Sequence, residues 1–137
     1  MFEDSSTLAS IDISNFSTEN VLDMSYMFSG CGLLKNIDVS KFKTNNVQNM
    51  KNMFSNCNNL EKLDVSTFDT SQVTDMSNMF YYCSNLKSLD VIYFRTDEVK
   101  NMEQMFRSCI RLEKLDVSKF VTSKVESIVE MFYSCNL

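Results

Sequence analysis

Apolar residues return along this chain with a fixed step of 26. The phrase Met-x-x-Met-Phe-x-x-Cys begins at Met24, Met50, Met76 and Met102, and recurs at Ile128 with one conservative change. Leu8, Leu34, Leu60, Leu86 and Leu112 keep the same step, as do Phe16, Phe42, Phe68, Phe94 and Phe120, with no insertion anywhere. Within the unit Leu60 to Asn85, Leu63-Asp64-Val65-Ser66 alternates apolar and polar residues, which predicts a short half-buried strand. Val73, Met76, Met79, Phe80 and Cys83 then mark one face of a helix of about three turns, with Thr70 or Ser71 as its N-cap. Such a unit cannot bury its apolar face alone, so neighbours stack and their strands pair in parallel about 4.8 Å apart. The expected fold is therefore α/β: a solenoid of about five rungs over residues 8–137, with one short parallel strand and one outer helix per rung. Residues 1–7 are expected to form an N-terminal tail, with Met1 and Phe2 outside the columns.

Leu60-x-x-Leu63-x-Val65 is similar to the opening of a leucine-rich repeat, and Phe80-x-x-Cys83-x-x-Leu86-x-x-Leu89-Asp90-Val91 resembles the BspA-like leucine-rich repeat surface proteins. The full unit, from Leu-Asp-Val-Ser through Met-Phe-x-x-Cys, looks like the 26-residue variant of mycoplasma-type surface lipoproteins, from Leu8 to Cys135. The resemblance implies a curved solenoid on a microbial cell surface, used for adhesion or interaction. The chain departs from ordinary leucine-rich repeats where their Asn ladder belongs, because Phe68 and its equivalents stand there. The Thr column, Thr18, Thr44, Thr70, Thr96 and Thr122, is expected to satisfy the backbone groups that an Asn ladder would serve.

Composition narrows the function. There is no histidine, which removes Ser-His and Cys-His nucleophile pairs, His-containing zinc sites and a His general base. A net charge of −5 argues against the basic footprint of a nucleic-acid binder. No group of residues stands out from the repeat as a catalytic constellation, so the expectation is a binder without enzymatic activity or cofactor. Proline is absent and the only glycines are Gly30 and Gly32, so the turns must be repetitive and made from other residues.

Two repeated columns invite chemistry. Cys31, Cys57, Cys83, Cys109 and Cys135 lie on the apolar stripe, where reduced cysteine behaves as a small hydrophobe. Adjacent rungs would bring them within disulfide reach, at roughly 5 Å, but five is an odd number and no Cys-x-x-Cys pair exists. Asp12, Asp38, Asp64, Asp90 and Asp116 should project from the open face of the strands. At stack spacing the repulsion between neighbouring carboxylates is about 0.9 kcal/mol in water and about 3.5 kcal/mol at an effective dielectric of 20. Ser14, Ser40, Ser66 and Ser118, two residues on, are the expected hydrogen-bond donors, and a bound cation is the alternative. Rung four has Ile92 in place of Ser, which leaves Asp90 the least compensated.

Residues that vary from rung to rung are better placed to read a partner than residues that repeat. Ile92, Tyr93 and Arg95 form an apolar, aromatic and cationic group of the kind enriched at binding hot spots. Lys62, Asp64, Asp90, Lys114 and Lys119 complete the expected partner-binding set on the open strand face. The partner expected is a host or matrix protein, with no nucleic acid and no membrane insertion, and end-to-end self-association is a further expectation from uncapped terminal rungs. Met1-Phe2-Glu3-Asp4 has no basic or apolar leader, so the chain reads as part of a longer surface or secreted array. An intracellular scaffold or effector domain is the alternative.

Overall fold

The computed structural model describes residues 1–137. The chain coils so that each residue lies over its counterpart 26 positions earlier, as in the parallel bridges Asp23 to Asn49, Asn49 to Asp75 and Asp75 to Asn101. The rungs are 8–33, 34–59, 60–85, 86–111 and 112–137. They contain no helix, and their pairing is confined to isolated parallel bridges, six in all. The expected strand and outer helix of each rung are both absent, so the α/β reading is overturned. Each rung is built from tight turns.

Rung three shows why no helix forms. Met79 donates its N–H to Met76 at 3.2 Å, Tyr81 to Asn78 at 3.1 Å and Cys83 to Phe80 at 3.2 Å, which makes three overlapping turns. The intervening N–H groups leave the rung: Met76 donates to Asn101, Asn78 to Glu103, Phe80 to Met105 and Tyr82 to Arg107, all at 2.8–2.9 Å. A helix would need every one of these donors to reach back four residues. Instead they alternate between a turn in their own rung and the carbonyls of the next. The alternation requires left-handed residues at two places per rung, and Asn78 (φ 57°) and Tyr82 (φ 59°) occupy them. Asn52 with Asn56, Gln104 with Ser108 and Glu130 with Ser134 repeat the pair, and in the first rung it is Tyr26 with Gly30. Two such residues four apart exclude a right-handed helix between them.

The inward side chains then stack in register. Phe28, Phe54, Phe80, Phe106 and Phe132 lie ring over ring, with centroids 5.6–5.9 Å apart and planes within 11° of parallel. Beside them are the fully buried Met50, Met76 and Met102 and the buried Leu60, Leu86 and Leu112. Residues 1–7 are not a separate tail. Phe2 stacks on Phe28 at 5.7 Å and donates its N–H to Met27, while Asp4, with φ 56°, donates to Ser29. Met1 and Phe2 therefore stand on the Met and Phe columns, one step before Met27 and Phe28.

The Thr column closes the opposite gap. Thr70 Oγ1 donates to the Arg95 carbonyl at 2.9 Å and accepts the Arg95 N–H at 2.8 Å, and Thr18, Thr44 and Thr96 do the same to Lys43, Asp69 and Val121. One hydroxyl thus satisfies both backbone groups of a residue in the next rung, where a helix N-cap would have served only its own rung. Replacing Thr70 by the near-isosteric Val should destabilise the fold by about 2–3 kcal/mol, because it strands two backbone groups, whereas Thr70→Ser should cost under about 1.5 kcal/mol. Urea denaturation of the two variants checks this, and a Val variant as stable as wild type would contradict it.

Candidate functional site

The two repeated columns resolve into hydrogen-bonded ladders. Cys57, Cys83 and Cys109 are buried free thiols, each donating its S–H to the carbonyl of the Phe 29 residues earlier at 3.2 Å. Cys31 and Cys135 make the same bond to Phe2 and Phe106 at the two ends of the column. Burial pushes the Cys57 and Cys109 thiols up to about 12 and raises Cys83 well above its ordinary value. These cysteines hold the core as protonated donors and are poor nucleophiles at neutral pH.

The Asp column is exposed, and each carboxylate is clamped by its own turn. Asp12, Asp38, Asp64 and Asp116 accept the N–H of Ser14, Ser40, Ser66 and Ser118 at 2.9 Å, and Asp90 accepts that of Ile92 at 3.0 Å. The Ser66 hydroxyl and then its N–H hold Asp64 below the usual carboxylate range, against burial and the charge of Asp38 one rung away. Ser40 and Ser118 act in the same way on Asp38 and Asp116, and on Asp12 the Ser14 N–H contributes more than its hydroxyl. Ile92 has no hydroxyl to offer Asp90.

Charge is handled differently elsewhere on the stack. Lys35, Glu61, Lys87 and Glu113 alternate in sign along one column, as do Lys43, Asp69 and Arg95 along another. In the column of Asp23, Asn49, Asp75 and Asn101, acid alternates with amide, although all four side chains accept the N–H two residues on. Asn therefore makes this turn as well as Asp does. Only the Asp12 to Asp116 column carries an acid in every rung, a ribbon of negative charge that turn formation alone does not require. No three Cys, Asp or Glu side chains converge in a metal-holding group.

The expected partner-binding residues fall in two places. On the open face, Lys62 and Asp64 line a depression of about 460 Å³ with Asn36, Asp38 and Ser88, over Ile37 and Leu63. Lys62 and Lys114 are bridged to Asn36 and Ser88, the only backbone pairing on this face. Asp90 and Lys114 are exposed along the same columns, and Lys119 is exposed at the corner of rung five. The second place is a corner: the Val91 to Phe94 turn puts Ile92 and Tyr93 at its tip. Tyr93 is 67% exposed there, where the other rungs have Asn15, Lys41, Thr67 and Lys119. Arg95 lies past the corner on the next side of the rung, exposed and 3.6 Å from Asp97.

Two features lie outside the expected partner-binding set. Tyr82 is 43% exposed and holds a left-handed position that other rungs give to Gly30, Asn56 and Ser108, so an aromatic side chain occupies strained backbone at the surface. It packs against Tyr81 at 5.3 Å, and in the rungs above Arg107 pairs with Glu130 and lies 4.8 Å from the Tyr133 ring centre. The second is the polar flank around Asp97 and Glu98. Variable polar residues carry no periodic signal, which is why the sequence did not mark it.

With this geometry in place, comparison with known proteins identifies the family. Residues 1–91 and 57–137 both match the family described as "Mycoplasma protein of unknown function, DUF285", and together they span the chain. The chain belongs to that family. No curated protein and no solved structure matches it.

Substituting Ser66 by Ala should return the Asp64 carboxyl toward 3.8, its ordinary value, by removing the hydroxyl that lowers it. Carbon-detected NMR titration of Asp64 reads this directly, with Asp38 as the internal control. An unchanged Asp64 midpoint would mean that the hydroxyl does not hold the carboxylate. Because these carboxyls are depressed in the folded chain, their contribution to stability is present above the ordinary carboxylate range and is lost as pH falls through their lowered values.

Proposed function

We propose that this chain is a non-enzymatic protein-interaction and adhesion module of a microbial cell-surface protein, binding a host or matrix protein through the open face and its rung-four corner. The observation that carries the reading is Tyr93. It stands 67% exposed at the tip of a tight turn, beside Ile92 and two residues before Arg95. Aromatic and Arg anchors on a rigid frame lose little conformational entropy on binding. The frame supplies that rigidity, since Phe94 behind Tyr93 is buried and the Arg95 backbone is clamped by Thr70.

Membership in a Mycoplasma family supports the microbial setting, and the repeat's resemblance to mycoplasma-type surface proteins supports a place on the cell surface. The acidic ribbon from Asp12 to Asp116, flanked by Lys62, Lys114 and Lys119, would add orientation and on-rate more than affinity.

An Ile92→Ser, Tyr93→Ser variant tests the reading, because serine is what the other rungs carry at the first of these positions, so the change should leave stability intact. Wild type should bind intact host-type cells or at least one protein of an extracellular-matrix array. The variant should bind about tenfold more weakly or worse, since losing such anchors costs about 1.4 kcal/mol or more. Equal binding by wild type and a folded variant would remove the corner from the interface, and binding by neither would contradict the adhesion reading.

A further inference from the structure

Past the rung-four corner the surface sinks into a depression of about 450 Å³ between rungs two, three and four, with no hydrophobic residue in its lining. That volume is within the range of small-molecule sites, about 300–1,000 Å³. The chemistry is unusual for one, because the apolar lining on which most such sites rely is missing. A ligand held here must be bound chiefly through hydrogen bonds on the side that faces the protein.

The lining narrows the class further. Arg95 only donates, Asp97 and Glu98 only accept, and the Gln48 and Gln72 amides do both. A ligand group that meets all three kinds at short range must itself donate and accept, which is the property of a hydroxyl. All five side chains end in planar groups with two neighbouring polar atoms, a match for a pair of adjacent hydroxyls. The charges nearly cancel: Asp97 faces Arg95 at 3.6 Å, and Lys124 holds both oxygens of Glu98 at 2.6 Å. An ionic ligand therefore gains little, and a neutral polyhydroxyl ligand gains most.

One of these groups and the backbone that carries two others are held in place. Lys124 fixes the Glu98 carboxylate, the Thr70 hydroxyl clamps both backbone groups of Arg95, and Thr74 Oγ1 bonds the Gln48 carbonyl at 3.2 Å. Preorganisation of this sort reduces the cost of binding. From this arrangement we propose that the flank of rungs two to four is a binding site for a neutral carbohydrate, recognised through its vicinal diols. The site shares Arg95 with the proposed protein-binding set but includes neither Ile92 nor Tyr93, and it does not rest on the protein-partner reading.

Saturation-transfer NMR of the intact chain with methyl α-mannoside, lactose and maltose as probes tests it. The site is open to solvent, so affinity should be weak, on the order of 1 mM. At least one sugar should receive transfer and shift the amide signals of Gln72 and Asp97. A Gln72→Ala, Asp97→Ala variant should weaken that binding about tenfold. The single Gln72→Ala change, on an exposed side chain, gives the same reading if the double variant does not fold. The Ile92→Ser, Tyr93→Ser variant should bind the sugar as wild type does. No transfer with any of the three sugars up to about 50 mM, or transfer that the flank variants leave unchanged, overturns the proposal. Equal loss in the corner variant also overturns it, by moving the ligand to the corner.

Discussion

The structure depends on how the backbone N–H groups of the Met-Phe-Cys segment are shared out. Alternate donors close turns within a rung while those between them reach the next rung, so local and long-range order form together. Neither half is stable alone. A run of isolated turns has little to resist fraying, and a ladder of single bonds between unturned chains would leave every second N–H unpaired in the core. The arrangement needs a left-handed residue at two fixed places per rung, and all the stacked side chains inherit their register from it.

The side-chain ladders follow from that register. With one residue type repeated every 26 positions, a buried side chain either stacks on its own kind or bonds the backbone of the adjacent rung. Phe takes the first course, with near-parallel rings, each pair contributing about 0.5–1.5 kcal/mol beyond burial. Thr and Cys take the second, and both leave the buried backbone better satisfied. Identical stacking is costly only for charge, and the alternating Lys, Glu and Asn columns avoid it. The Asp12 to Asp116 ribbon is the exception, tolerated because it is exposed and each carboxylate is clamped by an N–H of its own turn.

Much of this was legible in the sequence. The step of 26, the stacking of rungs, the buried Phe, Met and Cys columns, the Asp–Ser pairing and the cross-rung role of Thr all follow from spacing and chemistry. The helix did not survive, and the reason lies in the spacing itself. In the stripe Val73, Met76, Met79, Phe80 and Cys83, the pairs Met76 with Met79 and Phe80 with Cys83 stand three apart and close tight turns, while the same residues also fit one face of a 3.6 period, so the stripe reads either way. The second signal was Gly or Asn at 30, 52, 56 and 78, residues tolerant of positive φ, four apart where both are present. Tyr26, Tyr82 and Glu130 at equivalent places masked it. The proposed binding surface is a reading of variability: Tyr93 and Arg95 stand out from their columns in the sequence, but the turn that sets them on different sides of a corner is a tertiary feature.

The proposed interaction surface is the variable side of an otherwise uniform stack, and the rigidity of that stack rests on the cross-rung bonds. The most direct measurement is therefore the NMR scalar coupling transmitted through those hydrogen bonds. Phe54 nitrogen should couple to the Met79 carbonyl carbon, and Phe80 nitrogen to that of Met105. Coupling of Phe80 nitrogen to the Met76 carbonyl carbon instead would show a helix in the Met-Phe-Cys segment and contradict the account.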